Sequence, residues 1–457
     1  MDTTRVAAIF DIGKTNKKLF LFNEQYEIVH ELQALFSEIR DEDGDSCDDL
    51  AKISSWILDT VNTIFAMPEY EIAAINFCSY GASLVHIDQR GKPLTPLYNY
   101  LKEYPADLSK EFYNDYGGAA VFSVQTASPV LGSLNSGMQL YRLKKQRPEV
   151  FEKLHFSLHL PQYLASLINK KYYSEMTSIG CHTNLWNFTQ NYYHEWVYRE
   201  GLIDKLAPIT DSDHTDAIPL NGGRVSIGVG LHDSSAALIP YLESFLEPFV
   251  LISTGTWCIS LNPFNKRPLS VAELQEDCLS YISFQGKPVK ASRVFAGYHH
   301  EQEIKRISIH FEQPEDYYQR IEFNPEIVRL LNAKEKKEIW LSTEKDFLPR
   351  TLSDFSDYEA AYHQLMLDIM HRQTKALHLI LNEEKVKRIF VDGGFGKNPL
   401  YMHLLADAFP GTEVFAASVS QATALGTALA IHHSWNTKSF PGDLIDLHYF
   451  AGSEKRI

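Results

Sequence analysis

Cysteine is scarce in this chain. The five present (Cys47, Cys78, Cys181, Cys258 and Cys278) are odd in number, scattered, and form no Cys-x-x-Cys pair. A disulfide framework and a structural metal site are therefore not expected, whereas reduced thiols in a cytoplasm are. Positive charge is also in short supply. Against 58 Asp and Glu stand 43 Lys and Arg, leaving −15 with no long basic run. Nucleic acid is not an expected partner, because phosphate-backbone binding needs clustered cations. A nucleotide stays open, since local backbone N–H groups and a metal ion hold its phosphates. No apolar run reaches the length of a bilayer span. Met1-Asp2-Thr3-Thr4-Arg5 leads straight into a strand pattern, so neither a leader nor a membrane partner is expected.

What is present is enough apolar material for sizeable cores. Hydrophobic residues make up 44% of 457, and a chain of this length favours two domains of roughly 200 residues. A boundary near Tyr241–Glu247 gives domains of 1–245 and 246–457. Both open in the same way. Val6–Phe10 reads as a buried strand, Asp11 to Asn16 as a polar turn, and Lys17–Phe22 as a second strand. Pro248–Ile252, Ser253–Thr256 and Trp257–Leu261 repeat that arrangement, and repeated halves are a first clue to a fold. Between and after them come expected helices near Leu50–Phe65, Ser136–Lys145, Gln162–Ile168, Asp357–Leu381 and Gln421–His432. Strands are expected at Ala73–Ser79, Val225–Gly230 and Arg388–Val391. Leu84–Asp88 reads as a hairpin arm closed by Gln89-Arg90-Gly91-Lys92, and everything after Ser434 as a tail.

Four turns carry possible chemistry. Asp11, Gly13, Lys14, Thr15 and Asn16 form one candidate anion clamp, and Ser253, Thr254, Gly255 and Thr256 another, through turn amides and hydroxyls. Each is also compatible with an ordinary hairpin turn. Asp11 suits water-mediated contact to Mg²⁺, an ion that keeps its waters. Gly13-Lys14-Thr15 is not a P-loop, because Ala8 occupies the position of its first glycine and a strand follows instead of a helix. Gly228-x-Gly230-x-x-Asp233 likewise fails the dinucleotide fingerprint at its last position. Asp392-Gly393-Gly394-Phe395-Gly396-Lys397-Asn398 joins a strand to a helix. Its glycines permit close approach of a flat ligand such as adenine, or a tight turn of positive φ. Finally, His232-Asp233-Ser234-Ser235-Ala236-Ala237 places a carboxylate where a strand meets an apolar helix. That residue is either a general base or a helix N-cap.

Taken in order over residues 6–432, these segments resemble the FGGY carbohydrate kinase family. Asp11, Gly13, Thr15 and Lys18 match its Asp-x-Gly-Thr-Thr/Ser-x-x-Arg turn, with Lys14 departing from the usual Thr. Ser253-Thr254-Gly255-Thr256-Trp257 is similar to its second phosphate turn, and Gly393-Gly394-Phe395 through Asn398 to its adenosine loop. Glu175-Met176-Thr177 with Asn187 and Trp196 resembles a further family stretch. His232-Asp233-Ser234-Ser235-Ala236-Ala237 is most similar to the rhamnulokinase and fuculokinase turn. Ser79-Tyr80-Gly81-Ala82-Ser83 looks like the sugar-contacting segment, departing at Ser83 where Asp is usual.

The resemblance implies an α/β fold of two RNase H-like domains of the actin–sugar kinase type, with the active site in the cleft between them. It implies ATP and Mg²⁺ as cofactors and phosphorylation of a small ketose, a 6-deoxyketohexose such as L-rhamnulose or L-fuculose first. Another substrate such as xylulose or glycerol is the alternative; a non-catalytic sugar sensor and an actin-like ATPase are weaker ones. Asp233 would be the base, with Tyr80, Gly81, Ala82, Tyr98, Tyr100 and His232 around the sugar. Asp11, Gly13, Lys14, Thr15, Asn16, Lys18, Gly255, Thr256, Gly393, Gly394, Phe395 and Asn398 would surround the nucleotide. A homodimer is left open.

Overall fold

The structure is a computed structural model, and it describes residues 3–334, 350–381, 386–419 and 421–452. Its centre is two mixed sheets built on the same plan. In the first, strand Thr4–Ile12 forms a hairpin with Lys17–Asn23, with Asp11 opposite Lys18. Its continuous apolar run Val6–Phe10 is fully buried, as a central strand covered on both faces should be. On its other flank Thr4–Ile12 runs parallel to Tyr70–Ser79, which in turn pairs in parallel with Gly223–Gly228. Thr215–Leu220 closes that edge antiparallel.

The second sheet repeats each of these relationships. Phe249–Thr254 and Cys258–Asn262 make the hairpin. Arg388–Gly393 and then Glu413–Ser418 add in parallel, and Asp446–Phe450 closes the edge antiparallel. The duplication first visible in two polar turns thus extends to whole sheets. In each half a helix precedes the parallel strand beside the hairpin, Leu50–Phe65 in one and Tyr358–Ile380 in the other. The first buries Leu50, Ile53, Ile57, Val61 and Ile64, the spacing of one helical face.

Three features differ from expectation. The stretch after Ser434 is not all tail, because Asp446–Phe450 is an edge strand; Asp446-Leu447-His448-Tyr449 alternates polar and apolar, but the run is short and mostly exposed. Leu84–Ile87 takes Phe156–His159 as its strand partner. Its own returning chain meets it only briefly, at the Ile87–Pro93 bridge, with Asp88 N donating to the Lys92 carbonyl and Leu94 N to that of His86. Helix Ala422–Ala430 lies against the first sheet, where Asn76 Nδ2 donates to the Thr427 carbonyl at 3.0 Å. One apolar cluster accordingly includes Ile9, Leu251, Phe390 and Leu425, joining both halves. Among the described residues no helix is long and apolar enough to cross a membrane.

Candidate active site

Strand register brings the two key carboxylates to one edge. Asp11 aligns with Cys78 and Cys78 with Leu231; Ile12 aligns with Ser79 and Ser79 with His232. Three parallel strands therefore end together, the side of an α/β sheet where ligands bind, and Asp233 leaves the last of them. Burial pushes the Asp233 carboxyl up to about 6. Asp11 is also pushed to about 6, by burial first and by the charge of Asp233 second, while the Cys78 thiol and Lys18 pull it down.

The Asp233 side chain keeps 31% of its surface open. Its Oδ1 accepts the Ser234 backbone N–H at 2.6 Å and the Ser234 hydroxyl at 3.2 Å. Asp233 is the first residue of helix Asp233–Ala237, with His232 and not Asp233 at the N-cap position. His232 beside it is buried, and desolvation lowers its imidazole to about 4, leaving it neutral. Its Nε2 lies 3.2 Å from Asp233 Oδ1 and 3.2 Å from Cys181 Sγ. Behind the pair is a brace that motif reading had noticed without assigning a role. His232 N donates to Thr177 Oγ1 at 2.9 Å, and that hydroxyl donates to Glu175 at 2.6 Å. Glu175 also accepts the N–H groups of Thr177 and Ser178.

Most of the expected sugar-side residues gather here. A Cβ added to Gly81 would lie 2.9 Å from Cys181 Sγ and 3.0 Å from the His232 ring. Ala82 holds a left-handed φ of 58°, and its carbonyl accepts Gln139 Nε2 at 2.7 Å. The Tyr80 and Tyr100 rings meet edge-on at 6.0 Å, and the Tyr80 hydroxyl donates to Asp48 at 2.7 Å.

Two residues stand elsewhere than expected. Lys14 reaches Asp48 at 2.6 Å and Glu38 at 2.9 Å and lies over the Tyr80 and Tyr100 rings. Its ammonium is thus committed on the tyrosine side instead of being spare for phosphate. Tyr98 is turned to Glu42 and sits 5.2 Å from Lys102 Nζ, lining a neighbouring cavity of about 240 Å³. Lys102 also fills the one group of clustered carboxylates among the described residues, Asp41, Asp43 and Asp45.

Of the residues expected around the nucleotide, Gly255, Gly394, Phe395 and Asn398 line one cavity of about 570 Å³, together with Gly297, His300 and Tyr318. Sequence motifs had not pointed to the last three; only the Ala296-Gly297 step, which lets helix Ala296–His310 approach the turn, left a local trace. Gly393 has φ +92°, and a Cβ there would sit 2.0 Å from the Thr254 carbonyl, so no other residue fits without a shift. The Thr254 hydroxyl is occupied: it donates to the Asp392 carbonyl at 2.6 Å and accepts from Phe395 N at 3.0 Å. Asn398 caps the next helix through Tyr401 N and donates to the Tyr362 hydroxyl at 2.7 Å. Phe395 is buried and stacks on Tyr401 at 4.7 Å.

Each hairpin turn closes on the N–H of its glycine, Gly13 N donating to the Asn16 carbonyl three residues on and Gly255 N to the Trp257 carbonyl two residues on, each at 2.9 Å. Thr15, Asn16 and Thr256 are exposed at the tips, and the Thr256 carbonyl accepts Tyr298 N at 3.1 Å. Lys18, opposite Asp11, pairs with Glu31 at 3.5 Å.

Comparison with known proteins bears on the family and the fold. Residues 6–204 match the N-terminal domain of the FGGY family of carbohydrate kinases, and residues 246–439 match the carbohydrate kinase FGGY C-terminal domain. A rhamnulokinase of Oceanobacillus iheyensis is 20% identical over 389 residues, covering 79% of this chain and 78% of that protein. Among solved structures, a carbohydrate kinase from Novosphingobium aromaticivorans superposes with a TM-score of 0.79 at 23% identity, over 99% of this chain and 95% of that one. A xylulose kinase from Lactobacillus acidophilus gives 0.79 at 14% identity, over 99% and 94%. Matched in both halves and sharing the two-domain kinase architecture, the chain belongs to the FGGY family of carbohydrate kinases and is a sugar kinase.

Proposed function

We propose that this enzyme transfers the γ-phosphoryl group of ATP to a hydroxyl of a 6-deoxyketohexose such as L-rhamnulose or L-fuculose. The observation that carries the reading is the setting of Asp233. It is a carboxylate at a strand end, partly open, with its proton affinity raised to about 6, which suits a base working near neutral pH. Phosphoryl transfer asks the protein for positioning, charge neutralisation and a place for the hydroxyl proton. Asp233 takes that proton. Tyr80, Gly81, Ala82, Tyr100 and His232 shape the sugar side, and Gly255, Gly394 and Asn398 the nucleotide side.

Asp11 fits a magnesium ion held through water, because its partly exposed carboxyl has only a thiol and a lysine to oppose its charge. When bound, the ion neutralises phosphate charge. The exposed tips Thr15, Asn16 and Thr256 lie on the two turns that would face the same phosphates, and closure of the halves would exclude water.

The deoxysugar assignment rests on the His232-Asp233 motif and on the rhamnulokinase relative. Ser83 favours a second reading, a different ketose or polyol such as xylulose or glycerol. Its hydroxyl is buried without a partner where an Asp would otherwise offer a charge. A coupled ADP-release assay over ketoses, pentuloses and polyols separates the two. Preference for L-rhamnulose or L-fuculose supports the first reading; far better turnover of xylulose or glycerol overturns it and leaves the kinase in place.

A further inference from the structure

Ser235 has a single hydroxyl hydrogen and stands between two acceptors in different halves. Its Oγ is 3.3 Å from the carbonyl oxygen of Ile282, on the edge strand Cys278–Ile282 of the second sheet, and 3.2 Å from Nδ1 of His232. Ser235 is buried, so water is not a ready substitute for either. His232 is neutral, and a neutral imidazole has one N–H and one lone pair. The two arrangements are mutually exclusive. When Ser235 donates to Ile282, Nδ1 must carry the ring hydrogen and donate to Ser235, and Nε2 turns a lone pair towards Asp233 Oδ1 at 3.2 Å. When Ser235 donates to Nδ1, the hydrogen sits on Nε2 and points at that carboxylate, while the Ile282 contact has no hydrogen.

We propose that Ser235 is a positioning residue that sets the tautomer of His232, and that its contact with the Ile282 carbonyl selects the form with hydrogen on Nδ1. The idea rests on the reading of Asp233 as the base. With the contact made, the proton that leaves the sugar hydroxyl moves to Asp233 and is shared as an O–H donor with the Nε2 lone pair. With the contact broken, Nε2–H holds Asp233 in its charged form. A shift of one half against the other is thereby converted into a change of proton affinity at the base.

The surroundings are consistent with this assignment. Cys181 also meets Nε2 at 3.2 Å; its sulfur can donate to a lone pair there or accept from an Nε2–H, so it favours neither form. His159 and His182 are themselves neutral, lowered by burial to about 3. From the second half the Tyr281 ring lies 6.0 Å from the imidazole, and the Arg293 charge bears on Cys181 and Tyr281. Facing Asp233 itself is Asp11.

The test is nitrogen-15 NMR of histidine-labelled full-length protein without sugar or nucleotide, with His232 assigned by its loss in His232→Gln. The wild type is expected to show hydrogen on Nδ1. Ser235→Ala is expected to move it to Nε2, since Asp233 is then the remaining acceptor, and Ser235→Thr to restore the wild-type pattern. A wild-type ring with hydrogen on Nε2 overturns the proposal whether or not the variants fold, as does an unchanged tautomer in Ser235→Ala. Because no turnover is involved, failure here is distinct from failure of the substrate assignment.

Discussion

Gly426 packs so closely on Ala236 that a Cβ at Gly426 would stand 1.9 Å from the Ala236 carbonyl oxygen. Ala236 lies on the short helix that begins with Asp233, and Gly426 on the helix that returns from the second half to the first sheet. Asp233, the proposed base, is therefore seated on an interhelical contact that tolerates no side chain. Gly426→Ala is expected to cost about 1–3 kcal/mol of stability, as overpacking does, and to lower kcat by displacing Asp233. Thermal melting and steady-state kinetics check this. An unaltered melting temperature with full kcat would show that the contact is slack.

The raised proton affinities of Asp233 and Asp11 give pH-dependences of opposite sign for stability and activity. Both carboxyls bind protons more tightly folded, near 6, than at the ordinary value of 3.8. The folded state thus holds more protons between pH 4 and 6, and stability falls as pH rises through that window. Asp233→Asn lacks one of these buried charges. It is expected to melt above wild type at pH 7.5, by about 1 kcal/mol once solvent screening of a partly open group is allowed for. The gain should vanish towards pH 4. Wild-type kcat/KM should instead fall as pH drops through about 6, because the base must be unprotonated. Melting curves at both pH values and a kcat/KM profile test the pair of signs.

Lys14 in the first turn and Lys17 at the start of the strand after it are expected to separate by role. Lys17 is almost fully buried, with Nζ 3.0 Å from Asp48 and 2.9 Å from the Lys14 carbonyl. Lys17→Met should cost about 3 kcal/mol, the lower range for breaking a buried pair, since Asp48 retains Lys14 and Tyr80. Lys14→Met should leave nucleotide KM unchanged and raise sugar KM several-fold, because Lys14 is tied to the Tyr80 and Tyr100 side. A raised nucleotide KM in Lys14→Met would return that lysine to the phosphate.

These contacts also mark what the sequence could convey. The paired hairpins, the glycine-rich loop before Asn398 and the His232-Asp233 turn were readable because each is local: apolar runs flank a polar or glycine turn within a dozen residues. The partners of Lys14 were not, since Glu38 and Asp48 reach it only through the folded chain. The same holds for Tyr98, drawn aside by Glu42. Edge strand Asp446–Phe450 carries only the short alternation of Leu447 and Tyr449 with Asp446 and His448, too brief a signal to set it apart from a tail. The small residues of helix Ala422–Ala430 permit a close approach, but nothing local says that the neighbour is the helix of Asp233. Thr177 was noticed as part of a motif, but its bond to His232 N depends on the fold.

The central claim, a sugar kinase whose base is Asp233, is tested most directly by ADP release with L-rhamnulose and L-fuculose for wild type and Asp233→Asn, alongside calorimetric sugar binding. The account predicts sugar-dependent ADP release by the wild type, a fall of about 10²–10⁴-fold in kcat for Asp233→Asn, and sugar binding retained in both. Full-speed turnover by Asp233→Asn would contradict it.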